Sequence, residues 1–225
     1  MRAIQHLPPM VTLMYVPPHF KEDRLPVLHD AIRRSRIATL VTLSSAGLIA
    51  SHVPMLLDPA PTPYGTLRGH VARANAQWRD GSPEVQALAI FMGPEAYISP
   101  AWYATKPADG KVVPTWNYVA IHAYGAVEFF DDPARLLALV TALTETHEGR
   151  RAAPWAVSDA PSDYIAARLK GIVGFDLPIA RLAGKWKMSQ NQPAANRIGV
   201  AEGLLREGGP SEAAVGAIMQ AADRD

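Results

Sequence analysis

The sequence predicts an α+β, mainly β chain: a small antiparallel barrel with helices packed outside it. Three observations carry that expectation. About six short apolar stretches alternate in the manner of strands and follow one another through short connections. The helical patterns fall mostly late, after the run of strands. Twenty prolines among 225 residues cut the chain into short pieces, which suits strands and turns better than long helices. With 48% hydrophobic residues, a chain of this length can bury a substantial core as one domain.

Residues 23–34, DRLPVLHDAIRR, place Leu25, Leu28 and Ile32 at helical spacing, with Asp23 as the expected N-cap. ATLVTL (38–43), the turn SSAG and LIASHVPMLL (48–57) read as strand, tight turn, strand. A proline-rich loop, DPAPTPYG (58–65), leads to a short strand TLRGHVA, and ALAIFMG (87–93) is a further apolar strand. VPTWNYVAIHAYG (113–125) begins a strand expected to run to Phe130. In DDPARLLALVTALTETHE, Asp132 before Pro133 is a good first-turn pair, and Leu136, Leu139, Val140 and Leu143 form the apolar stripe. A shorter helix, PSDYIAARLK, stops at Gly171. GIVGFDLPIARLAGK then alternates as one strand with Val173, Phe175, Leu177 and Ile179 on a single face, and Pro178 argues for an edge or bulge. From Asn191 the chain is alanine-rich and helical, interrupted by GGPSE (208–212).

Charge excludes little, since 22 basic and 21 acidic side chains leave +1, too weak a balance to draw the protein to nucleic acid or membrane. There is no cysteine, which removes disulfides, thiolate metal sites and cysteine nucleophiles. No stretch approaches the length of a membrane span, and Pro8 and Pro9 break the apolar start that a signal peptide would need. The expected location is the cytoplasm. No metal site is expected, because none of the seven histidines is paired at metal-binding spacing. GxSxG, GxGxxG and GxxxxGK[ST] are all absent.

Three polar stretches remain as candidates for chemistry. In LRGHVARANAQW (67–78), Arg73, Asn75 and Gln77 follow His70 at an expected helix start, where backbone N–H groups and a guanidinium suit a phosphate. A solvated polar loop would look the same. In GKWKMSQNQ (184–192), Lys185 and Lys187 flank Trp186, and Ser189, Gln190 and Asn191 follow. That set can grip a phosphate or a ring edge, or simply decorate a surface loop. In VPTWNYVAIHAYG, alternation puts Trp116, Tyr118, Ala120, His122 and Tyr124 on one face and Thr115, Asn117, Val119, Ile121 and Ala123 on the other. A row of aromatics with polar tips fits a subunit interface, a wall for a planar ligand, or both.

Taken together, MYVPPHF (14–20), GTLRGHVARAN (65–75), GPEAYISPAWY (93–103), VPTWNYVAIHAYG and GKWKMSQNQ resemble, in the same order, the PaiB family of FMN-binding negative transcriptional regulators. The resemblance runs from Met14 to about Leu205 and leaves residues 1–13 as an N-terminal extension, with Met14 as an alternative start. It implies an FMN-binding split β-barrel over 14–190 that includes the helices in 133–170, a helical tail over 191–225, and a homodimer with FMN at the subunit interface. Carried onto this chain, Arg36, Ala38 and Thr39 with Ser51, His52, Val53 and Pro54 would border the isoalloxazine. His70, Val71, Ala72, Arg73 and Asn75 would take the phosphate, with Arg73 as chief cation, and Trp116, Asn117, Lys187, Ser189 and Gln190 would close the site. The tail is the best place for a DNA-reading helix pair, yet residues 208–225 hold Glu212, Asp223 and Asp225 against Arg224, which disfavours DNA. Two other readings stay open: a flavin-dependent oxidoreductase with no catalytic residue named, and a haem-binding split barrel using His52, His70 or His122 as axial ligand.

Overall fold

The computed structural model describes residues 14–60, 62–81 and 85–222. The extension 1–13 and the charged end 223–225 lie outside these. The chain opens with β1 (Lys21–Glu22), α1 (Leu25–Arg34), β2 (Ala38–Ser44), β3 (Gly47–Val53), β4 (Met55–Asp58) and β5 (Thr66–Ala72). Next come α2 (Gln77–Asp80), β6 (Ala87–Ile98), α3 (Lys106–Asp109), β7 (Thr115–Gly125), β8 (Glu128–Phe130) and α4 (Pro133–Glu148). Last are α5 (Ser162–Leu169), β9 (Ile172–Pro178), β10 (Arg181–Lys187), α6 (Ala194–Glu207) and α7 (Pro210–Ala222). The strands form two sheets, antiparallel throughout: six strands in the order β1-β10-β7-β6-β2-β3 and four in the order β4-β5-β9-β8.

Three stretches expected to be single strands each turn a corner from one sheet into the other. β3 and β4 part at Pro54, which has no N–H to give a ladder. β7 and β8 part at Ala126–Val127, and β9 and β10 at Ile179–Ala180. The last two corners touch. Gly125 lies where a Cβ would come within 2.1 Å of the Pro178 carbonyl oxygen, and the Ala180 N–H donates to the Tyr124 carbonyl at 2.8 Å. Pro178 therefore marks a corner in place of the expected edge or bulge. The bulge sits in β6, between Met92 and Glu95, where Gly93 and Pro94 interrupt the register with β7.

One face of the six-stranded sheet is covered twice over. Near β2, the side chains of Leu40, Ala89, Phe91, Ile121 and Ala123 meet Leu67, Val71, Val173, Phe175 and Leu177 of the four-stranded sheet, with Leu28 and Ile32 of α1 closing the barrel. Beyond the bulge, Ala96, Ile98 and Val119 on the same face meet Val200, Leu204, Val215 and Met219 of α6 and α7. The tail helices thus share a core with the sheet. The hydroxyl of Ser211, in α7, accepts from the Glu95 N–H at 3.1 Å and donates to the Glu95 carbonyl at 2.8 Å, just past the bulge.

Helix α4 begins as expected: Asp132 accepts from the Arg135 N–H at 2.8 Å and Pro133 occupies the first turn. Helix α1 does not. Its boundary residue is Arg24, whose N–H is met by Glu22 at 2.9 Å, while Asp23 pairs with Lys21 at 2.7 Å. Glu22 is buried beside the Arg24 guanidinium, whose hydrogen bonds hold its carboxyl below the usual range.

Candidate functional site

The alternation read in β7 holds in the fold, and it decides where the site lies. Residues opposite one another across an antiparallel ladder share a face, so the register lines up His52, Thr39, Ile90, His122 and Ala183 across five strands. This row and its neighbours point away from both cores. The uncovered face carries Leu43, Leu48, Met92, Tyr97 and Trp116, all substantially exposed, with Met92 at 50% and Trp116 at 53%. Tyr118, Tyr124, Lys185 and Lys187 complete it. A contiguous apolar and aromatic sheet face of this extent is unusual on a soluble chain and marks a binding surface.

Polar groups on the face are held in place by short contacts. Thr39 Oγ1 meets His52 Nδ1 at 3.0 Å, and the Tyr124 hydroxyl meets His122 Nδ1 at 3.0 Å. Burial lowers the His122 pKa, so its imidazole is favoured as the neutral base. Tyr97 and Trp116 stack edge to face at 5.9 Å. The Lys185 ammonium lies 5.1 Å from the Tyr118 ring centre and 5.5 Å from that of Tyr15. Lys187 donates to the Thr115 hydroxyl and the Trp116 carbonyl, and burial, seconded by the neighbouring Lys185, pulls its pKa down. Arg36 precedes β2, is exposed, and makes no ion pair or hydrogen bond among the described residues. The Ser35 hydroxyl beside it donates to the Met92 carbonyl at 3.4 Å, tying this segment to β6.

Of the residues singled out in the sequence, Arg36, Thr39, His52, Trp116 and Lys187 gather on or beside this face. The others fall elsewhere. Ala38, Val53 and Val71 face the barrel core, and Pro54 makes a corner. Ser51 and Asn75 meet at 2.8 Å on the covered side, where Asn75 also accepts the first N–H of α2, that of Gln77, at 2.9 Å. Asn117 and Ser189, both buried, bond one another at 3.0 Å beneath α7, and Asn117 also donates to the Met219 sulfur at 3.5 Å. Ser189 holds φ at +61°, and Gln190 folds back on the main chain of Trp186 and Met188 at 2.6 and 2.7 Å. His70 and Ala72 lie on the outer side of the four-stranded sheet. The buried His70 Nδ1 has no hydrogen-bond partner among the described residues, and desolvation lowers the His70 pKa.

Arg73 has a task the sequence did not announce. Its guanidinium donates to the Lys170 carbonyl at 2.7 Å and the Ile172 carbonyl at 3.2 Å, and it pairs with Asp131 at 3.3 Å. It therefore fastens the end of β5 to the turn between α5 and β9. Tyr118, His122 and Lys185, picked out in the sequence through the aromatic row and the GKWKMSQNQ stretch but not among the positions that the resemblance carried over to FMN, lie on this face as well.

This face suits a flavin. A flat ring needs an apolar or aromatic wall with few polar groups, and a phosphate needs cations with donors to spare. The middle of the face offers Ile90, Ala183 and Met92, with Ala120 buried beneath them, and its margins offer Arg36 and Lys187, while Lys185 is itself buried. Two antiparallel sheets joined at corners, one face open and lined in this way, define a split barrel of the flavin-binding kind.

Comparisons with known proteins agree. The family described as "Putative FMN-binding domain" matches residues 14–181. An uncharacterized protein of Aspergillus fumigatus is 37% identical over 87% of this chain and 92% of its own length. "Protease synthase and sporulation protein PAI 2" of Bacillus subtilis is 30% identical over 92% of this chain and 97% of its own. Among solved structures, a conserved hypothetical protein from Mycobacterium tuberculosis superposes with a TM-score of 0.56 at 11% identity, over 80% of this chain and 94% of that one. An FAD and heme binding protein from Mycobacterium smegmatis gives 0.55 at 14% identity, over 79% and 78%. The chain belongs to the PaiB family of FMN-binding split barrels, and FMN is its cofactor. Among the described residues, no helix is long and apolar enough to cross a membrane.

Proposed function

We propose that the protein works as a cytoplasmic homodimer in which two open sheet faces meet and hold FMN between them, as a flavin-responsive regulator of the PaiB type. The single observation behind this reading is the uncovered face itself. Among the described residues, Trp116 at 53% and Met92 at 50% stand exposed beside Tyr118 and His122, and a second copy would cover them. Standard protein interfaces bury about 1,200–2,000 Å² in total, a size that a six-stranded sheet can provide. Arg36 and Lys187 are the residues that would meet the phosphate, while Thr39 and His52 would border the ring. FMN supplies the electron-accepting chemistry, and this chain orients it and shields it from water.

How such a dimer would reach DNA is a separate matter. Helix α7, Pro210–Ala222, contains no Lys or Arg, and its Val215 and Met219 are buried against the sheet, so it lacks the means to read an operator. A second reading, a flavin-dependent oxidoreductase, draws support from the His122–Tyr124 pair, which places a neutral imidazole on the same face as the proposed ring site. Reduction of the bound flavin by NADH or NADPH separates the two readings.

The test is Met92→Glu, a change at a half-exposed position of the open face. The expected result is a folded monomer that no longer binds FMN, followed by sedimentation velocity and by flavin fluorescence quenching. A Met92→Glu protein that stays dimeric and keeps the parent's FMN affinity overturns the placement.

A further inference from the structure

A second concave site lies between α4, the Pro154–Ala160 connection and α5, on the side of β9 and apart from the open sheet face. It is a groove of about 1100 Å³, large enough for a drug-sized molecule. Its walls are apolar: Leu136, Leu137, Trp155, Val157, Ile165 and Leu169. Leu137 and Trp155 are exposed at 41% and 46%, a cost that a free-standing helix pair would ordinarily avoid. Among the described residues, helix α5 buries only Leu169, and the space beside it is left open.

The groove carries hydroxyls along its length, Thr141, Thr144, Ser158 and Ser162, but charge only toward its two ends, and the ends differ. At the start of α4 stand Arg73 and Lys170, with Asp131. Arg73 is already oriented by two carbonyls, and its pairing with Asp131 at 3.3 Å shows that a carboxylate is accepted at that edge. Lys170 is exposed, and its ammonium carries no partner among the described residues. At the far end of α4 stand Glu145, which is exposed, and Glu148, which is held by Arg151 at 3.0 Å. A helix from Pro133 to Glu148 is about 24 Å long at 1.5 Å per residue, so the two ends are well separated.

We infer that this groove binds a monocarboxylate with an extended apolar body, its head at Lys170 and Arg73 and its tail against Leu137 and Trp155. At the far end the exposed Glu145 and the Arg151-paired Glu148 leave no lining cation for a second anion, which favours monocarboxylates over dicarboxylates and fixes the direction of binding. Because Arg73 also anchors the end of β5, the head group meets the same residue that sets the His70–Asn75 loop.

The experiment titrates the full-length protein with decanoate, decylamine and decanol, read by calorimetry, and repeats the decanoate titration with Lys170→Glu and Ala166→Trp. Ala166 is an exposed lining residue, so its replacement fills the groove without entering the core. Decanoate is expected to bind most tightly, Lys170→Glu to weaken it about tenfold, and Ala166→Trp to abolish it, with the thermal midpoint unchanged in both. Equal binding of all three probes refutes the charged end. Decanoate binding that survives Ala166→Trp refutes the groove. No binding by the parent, together with a change of oligomeric state in Ala166→Trp, assigns the surface to a protein contact and overturns the proposal.

Discussion

Arg73→Ala separates two duties that meet in one side chain. The sequence made this residue the chief phosphate cation, whereas the fold uses it as a clamp between β5 and the α5–β9 turn. The alanine variant loses donation to the Lys170 and Ile172 carbonyls, at 2.7 and 3.2 Å, and the pair with Asp131. A charge-assisted bond contributes roughly 1.5–3 kcal/mol where it is buried, but this side chain is 34% exposed, so about 1 kcal/mol for each carbonyl is the fitting figure. Asp131, at 65% exposure, adds about 0–0.5 kcal/mol. The total is about 2–2.5 kcal/mol, or a fall in thermal midpoint of roughly 5–10 °C for a chain of this size. Urea unfolding with an unchanged slope, run beside an FMN titration, measures both duties at once. Arg73→Lys should recover little stability, since an ammonium cannot span two carbonyls and a carboxylate as the fork does. An unchanged unfolding midpoint with lost flavin affinity would show that the clamp is wrong and that the guanidinium serves the phosphate.

Two further outcomes follow from the packing and the titratable groups. Gly125→Ala places a methyl 2.1 Å from the Pro178 carbonyl oxygen and 2.9 Å from Leu177, where two corners touch; the expected loss is about 3 kcal/mol or more, seen as poor soluble yield or a collapsed thermal midpoint, and a near-parental midpoint would contradict that contact. His70 and His122 both have pKa values lowered by burial, so below about pH 6.5 the unfolded chain binds more protons than the folded one. Their contribution is complete above that pH and is lost as pH falls through the folded values; a His70→Gln, His122→Gln double variant should therefore show a shallower decline of urea midpoint as pH falls below about 6.5, and a parallel decline would count against the assignment.

The strands were legible because their alternation is strong, but the corners were not. A side-chain period of two continues unchanged through Pro54 and through Ala126–Val127, so a strand that leaves one sheet and enters another reads there as one strand, whereas at Ile179–Ala180 the core-facing positions shift from odd (Val173, Phe175, Leu177, Ile179) to even (Leu182, Trp186). Proline and glycine mark these places, as Pro54, Gly125 and Pro178 do here, yet the same residues also mark edges and bulges. For the site, alternation in β7 correctly separated Trp116, Tyr118, His122 and Tyr124 from Asn117 and Val119. It could not show that the face behind Asn117 would be shared by a second sheet and two tail helices, since that depends on contacts from Val200 and Met219. The clamp role of Arg73 was hidden for a similar reason. A guanidinium aimed at a phosphate and one aimed at carbonyls 97 and 99 positions away look alike in sequence.

Ser211 grips both main-chain groups of Glu95 from 116 positions away, at the place where β6 changes register. β6 is the longest strand and borders both covered halves, so this one hydroxyl acts as a splint across a joint. Strand straightness on the broad surface is in this way made conditional on a helix laid down long after it during synthesis. A nascent chain halted before Ser211 would carry the aromatic row without the brace that keeps it level.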